Sequence, residues 1–186
     1  MKQESRLKKI ILPIFIASIM VFSIFGYIAN KENNPEEATY HTLKFVKSDN
    51  GWLAYKDNKK IIIQTNPKDL KDIQEPKLTL QELNSAQKIY LSFNPEDNIY
   101  QALNSFVQQI KPLLNTFTQA CTKDVSKCSN LPLKTCSDAT DIIKVIQIQE
   151  NNQTRLEYTN NCLIIQGKSE DLIKEMDKLT LILNGI

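Results

Sequence analysis

Leu163-Ile164-Ile165-Gln166-Gly167-Lys168-Ser169-Glu170-Asp171-Leu172 is the stretch on which the fold turns. Its apolar run is short and β-branched, which suits a buried strand better than a helix. The run then changes character: Ser169 is placed to cap a helix, and Glu170 and Asp171 follow where carboxylates meet the positive helix end. The same order of signals occurs twice upstream, in Ile61-Ile62-Ile63-Gln64-Thr65-Asn66-Pro67-Lys68-Asp69-Leu70 and in Ile89-Tyr90-Leu91-Ser92-Phe93-Asn94-Pro95-Glu96-Asp97-Asn98. There Asn66 and Asn94 are the expected N-caps, and Pro67 and Pro95 suit the first helical position. Strand-to-helix junctions explain the likeness without a duplicated domain.

Outward from these junctions the other elements can be read. Tyr40–Lys47 alternates as a strand, Asp49-Asn50-Gly51 turns, Trp52–Lys56 returns, and Asp57-Asn58-Lys59 turns again into Ile61–Thr65. Asn-Gly is a strong hairpin signal because both residues accept positive φ. Ile99, Leu103, Phe106, Val107, Ile110, Leu113, Leu114 and Phe117 recur at helical spacing, with Pro112 expected to kink or split the helix. Ile142–Gln149 and Thr154–Thr159 are expected as a hairpin, Cys162–Gln166 as the last strand, and Ser169–Leu183 as the last helix. Mixed strands and helices with hairpin connections imply an α+β sandwich.

The 186 residues suffice for one domain and an appendage. A hydrophobic fraction of 41% excludes a fully disordered chain, and a net charge of +2 argues against a nucleic-acid binder. That charge is unevenly placed: four cations and one acid lie in residues 1–30, against 19 and 20 in residues 31–186.

Ile10 to Ala29 carries no ionisable side chain but Tyr27, and about 20 apolar residues cross a bilayer core as a helix. Cleavage after Ala29 would leave bulky Tyr27 three residues before the cut, so the run is expected to stay as a signal anchor. Lys2, Arg6, Lys8 and Lys9 precede it, and a flank with Glu32, Glu36 and Glu37 follows. The positive-inside rule then sets residues 1–9 in the cytoplasm, 10–29 in the lipid bilayer, 30–38 as a linker, and 39–186 as a disulfide-stapled domain outside. A pilin-type leader would need a small residue before the apolar run, and Lys8-Lys9-Ile10 has none.

Three further stretches carry a resemblance: KIYLSFNPEDN at 88–98, ACTKDVSKCSNLPLKTC at 120–136, and NCLIIQGKSEDLIKEMDKL at 161–179, with NGI at the end. In order and spacing they resemble an uncharacterised single-pass membrane protein family of small-genome archaea. GWLAYKDNKKIIIQTNPKDLKDI at 51–73 resembles that family's N-terminal part. The family has no assigned activity, so the resemblance implies a membrane-anchored outer domain and no catalytic residues to carry over. Thr180-Leu181-Ile182-Leu183 departs from it, standing where an aromatic-containing ending is expected.

The candidate chemistry is sparse. Cys121, Cys128, Cys136 and Cys162 contain no C-x-x-C pair, so two disulfides outside the membrane are the expectation. The hairpin reading brings Cys162 near Cys136 and favours Cys136–Cys162 with Cys121–Cys128. His41 is the single histidine, which makes a multi-histidine metal site impossible within one chain. Glu96–Asp97 and Glu170–Asp171 are read as acids in first helical turns, and Lys56–Lys60 as a solvated turn. An exposed subset of Trp52, Tyr55, Tyr90, Phe93 and Tyr100 would mark a partner-binding face. Asn152-Gln153-Thr154 is an eligible glycosylation sequon.

No catalytic set, metal site or cofactor is expected. The leading reading is a non-enzymatic interaction or cell-envelope structural module with a protein partner. The alternatives are an extracytoplasmic hydrolase whose acids converge in the fold, and an anion or small-molecule sensor at the Gly167–Ser169 helix start.

Overall fold

The computed structural model describes residues 13–23 and 35–186. These fall in two units, divided between Glu36 and Glu37. Residues 13–23 are helical (α1), with Ile14, Phe15, Met20 and Phe22 exposed. Among the described residues no helix is long and apolar enough to cross a membrane. Residues 1–9, both ends of the 10–29 run and most of the linker lie outside the described residues.

The second unit is α+β, with two sheets and two disulfides. Four strands form an antiparallel meander: β1 (Glu37–Tyr40), β2 (Leu43–Ser48), β3 (Gly51–Lys56) and β4 (Lys59–Ile63). The strand expected over Tyr40–Lys47 is in fact two. His41 takes φ 49° and turns the chain, so β1 folds back on β2 from within the stretch read as linker. Buried Tyr40 stacks on the His41 ring at 4.5 Å, which holds the turn. At the next hairpin Gly51 sits at φ 111°, and a Cβ there would lie 2.3 Å from the Ile63 carbonyl oxygen.

The second sheet has the order β6-β5-β7-β9-β8. It comprises β5 (Lys88–Phe93), β6 (Thr118–Cys121), β7 (Ile143–Glu150), β8 (Arg155–Thr159) and β9 (Cys162–Gly167). All are parallel except β8, which runs antiparallel to β9. The expected β7–β8 hairpin is therefore wrong: β9 inserts between them. Burial explains why. Nearly every residue of β9 is covered, as a central parallel strand demands, whereas β8 exposes Arg155, Glu157 and Thr159 and suits an edge.

Three helices cover one face of this sheet. The helix α2 (Leu80–Asn84), capped by the Thr79 hydroxyl accepting from the Glu82 N–H, is short. The longer α3 (Tyr100–Ile110) and α4 (Ser169–Leu183) bury Leu103, Phe106, Ile110, Leu172, Met176 and Leu179 against Leu91, Ile146, Ile148, Leu163 and Ile165. Pro112 does not kink α3 midway; the helix stops at Ile110, two residues before it, and Lys111 between them keeps helical angles. Leu181, on the other side of α4, joins Tyr40, Phe45, Trp52, Ile61 and Ile63 in the core under the meander. The last helix is thus the middle layer, buried from both sides.

The junction signals place the elements and one of the three expected caps. Asn66 does accept from the Lys68 N–H, at 3.0 Å, to open a 3-10 turn at Pro67–Leu70. Asn94 caps no helix. It closes a turn by accepting from the Glu96 N–H and donating to Asp97, and α3 begins only at Tyr100. The cap of α4 is Lys168, with Ser169 already helical and no side-chain cap bond.

Candidate functional site

The Cys-bearing segment lies over the second face of the five-stranded sheet. Tyr90, Ala120, Val145 and Cys162 form a small core there with Cys136, Ala139 and Ile164. The disulfides are Cys121–Cys128, with Cα atoms 6.1 Å apart, and Cys136–Cys162, at 5.3 Å. This is the expected pairing, reached without the β7–β8 hairpin on which the expectation rests. Cys162 reaches Cys136 because β9 pairs directly with β7, which puts Cys162 opposite Val145 beneath the loop. The loop is also held by polar groups: the Cys136 N–H donates to Gln147 Oε1 at 3.0 Å, and the Ser92 hydroxyl donates to the Lys134 carbonyl. Gln147, Gln149 and Gln166 continue as a ladder, with amide bonds of 2.9 and 2.8 Å. All four thiols are committed to disulfides, so none remains as a nucleophile or metal ligand.

The carboxyl ends of the parallel strands are where open α/β sheets usually bind ligands. Here that edge gathers acids. Asp97 accepts the Glu150 N–H at 3.0 Å, Glu150 accepts the Asn98 N–H at 3.3 Å, and the Ser169 hydroxyl lies 3.5 Å from Glu150 Oε1. Asp97 and Glu96 therefore sit in a turn before α3, not in a first helical turn as expected. With Glu170 and Asp171 on α4, this puts carboxylates of the chain itself around the Gly167–Ser169 helix start. Such a field favours the helix dipole and opposes an incoming anion. Ser169 beside Glu150 is a hydroxyl near an acid with no imidazole: His41 belongs to the β1–β2 turn of the other sheet.

Helix α4 also carries polar groups into the interior, which its sequence does not announce. Asp177, 2% exposed, accepts from the N–H groups of Gln64 at 2.9 Å and Thr65 at 2.7 Å. Burial pushes its carboxyl up to about 6, against the pull of those donors and of Gln109. Lys178, 1% exposed, donates to the Tyr40 hydroxyl and, at 2.8 Å, to Glu75. Burial alone would lower its pKa; Glu75 and Tyr40 outweigh that and hold the ammonium above its usual value. A groove of about 710 Å³ between β4 and α3 is lined by Gln64, Asn104, Gln108, Gln109 and Thr180. Lys59 and Lys60 also line it, so it presents two lysines beside neutral amides and hydroxyls that bind by hydrogen bonding.

The remaining sequence candidates spread over the surface. Asn152 is exposed in the β7–β8 connection. Lys56 docks on the C-terminal end of α4, where its ammonium donates to the Asn184 and Gly185 carbonyls. Trp52, Tyr90 and Phe93 are buried, while Tyr55 and Tyr100 are exposed. Tyr55 shares the outer face of the meander with Val46, Leu53 and Ile62, which lie side by side in register.

No family model, curated protein or solved structure matches this chain.

Proposed function

We propose that the chain is a membrane-anchored domain facing an oxidising compartment, where it acts as a non-enzymatic interaction or envelope-structure module. Two disulfides carry this reading, because such bonds persist outside the reducing cytosol. They follow a basic tip and a 20-residue apolar run whose flanks favour a cytoplasmic N-terminus.

The outer face of the meander supports a role in contact with a protein. Val46, Leu53 and Ile62 form an apolar row, and Tyr55 beside it is 61% exposed. Tyrosine in such a setting offers area at little entropic cost. The anion-sensor alternative has less support, since carboxylates surround the helix start on which it relies.

A photocrosslinker replacing Tyr55 in native membranes tests the interaction role. The reading expects one discrete adduct there and none from a crosslinker at exposed Lys123. Equal labelling at both positions, or no adduct at Tyr55, refutes it.

A further inference from the structure

A cavity of about 540 Å³ lies between residues 72–77 and strand β8, with Glu175 of α4 on its wall. Glu175 is 1% exposed, and its Oε2 has no hydrogen-bond partner among the described residues. A buried carboxylate oxygen without a donor is among the more costly arrangements in a protein, and an apolar residue at this position of α4 would remove the cost. Tyr158 repeats the pattern on the facing strand. Its hydroxyl is buried without a well-formed hydrogen bond, with the Glu82 carboxylate near it. Glu175 and Tyr158, each with an under-partnered polar atom, are thus both among the residues that border one cavity, whose volume is within the range of small-molecule sites.

The wall states what the occupant must offer. Glu75 is committed to Lys178 at 2.8 Å, and Glu157 to Arg155 at 2.5 Å. The acids left over are Glu175 and Asp72, against Lys77 alone. Ile73, Pro76 and Leu156 supply apolar surface, and Tyr158 an aromatic ring. Burial, with Asp171 adding repulsion, pushes the Glu175 carboxyl up to about 8, against the Arg155 N–H that draws it down. The lining by itself therefore favours a proton on Glu175, and a cation would serve in its place.

We propose that this cavity binds a small organic amine, its ammonium donating to Glu175 Oε2 and its apolar body lying against Ile73, Leu156 and the Tyr158 ring. A cation over an aromatic face adds attraction of the same sign. The site is independent of the anchor and of the meander face, so it stands or falls apart from the proposed function.

The full chain in detergent micelles, titrated with benzylamine and with benzyl alcohol, tests this by calorimetry and by the ring signals of Tyr158. Benzylamine is expected to saturate a single site, with the alcohol weaker by about tenfold or more. Glu175→Gln should weaken benzylamine by about tenfold or more and leave the alcohol unchanged. Thr154→Trp, a change at an exposed rim position, should also block the amine while keeping the carboxylate. That variant decides the matter if Glu175→Gln fails to fold. Absence of saturable benzylamine binding in the millimolar range, equal binding of amine and alcohol, or unaltered amine affinity in the folded variant overturns the proposal.

Discussion

Single residues of α4 decide how its two sides hold together. Asp177 takes two backbone N–H groups from the end of the meander, so Asp177→Ala strands both donors in a half-buried place. Urea unfolding should show a loss of about 2 kcal/mol, with Asp177→Asn losing about half of that because one acceptor remains. Glu175 acts in the opposite sense. Its folded pKa, about 8, lies above the ordinary carboxyl value of 4.5, so between those values the folded state holds a proton that the unfolded state has released. Stability from this group is full below pH 4.5 and is lost as pH rises toward 8. Asp177, raised to about 6, adds a smaller slope of the same sign from its ordinary value of 3.8 upward. Denaturation midpoints should therefore fall from pH 5 to pH 8. Glu175→Gln should flatten the fall and stabilise the protein at pH 8 by on the order of 2 kcal/mol. A midpoint rising with pH over that interval would show the carboxylate to be ionised at no cost.

At the scale of elements, Gly51 and the disulfides are the exposed points of the design. Gly51→Ala forces a Cβ onto the Ile63 carbonyl at a positive φ and should cost about 2–4 kcal/mol by chemical denaturation. Cys136–Cys162 closes 26 residues and Cys121–Cys128 closes 7. Loop entropy alone makes Cys162→Ser the more damaging change by about 1 kcal/mol over Cys121→Ser. Equal losses in the two variants would show that local packing outweighs chain entropy. The element scale is also where the sequence was most and least legible. Strand and helix identities followed from period and composition, as in Ile89–Phe93 and Ser169–Leu183. Pairing did not. Asn160 and Asn161 adopt φ 48° and 65°, the tight turn that makes β8 and β9 the true hairpin. Chain order alone would join β7 to β8, and β9 stands between them. The continuous apolar run Leu163-Ile164-Ile165 beside charged, alternating Arg155–Thr159 was the signal for centre and edge. Strand β6 had no such signal: Thr118-Gln119-Ala120-Cys121 is a strand because β5 offers a free edge to it. The candidate cavity was less legible still, since Glu175 sits among exposed-looking charges and only the layer packed above α4 buries it.

At the scale of the whole molecule, the account rests on which side of the membrane the disulfide-stapled unit occupies. The proposal that residues 31–186 lie outside draws on the distribution of charge, the apolar run and the oxidised cysteines. They bear on it for separate reasons: insertion energetics, hydrocarbon thickness and redox chemistry. The measurement that tests this most directly is protease accessibility in intact cells, followed by an antibody to the C-terminal residues and mass mapping of the cysteines. Added protease should remove the outer part from unbroken cells, and unreduced peptides should carry Cys121–Cys128 and Cys136–Cys162. Full protection of Trp52 to Ile186 until the cells are opened, with four free thiols, would contradict the account.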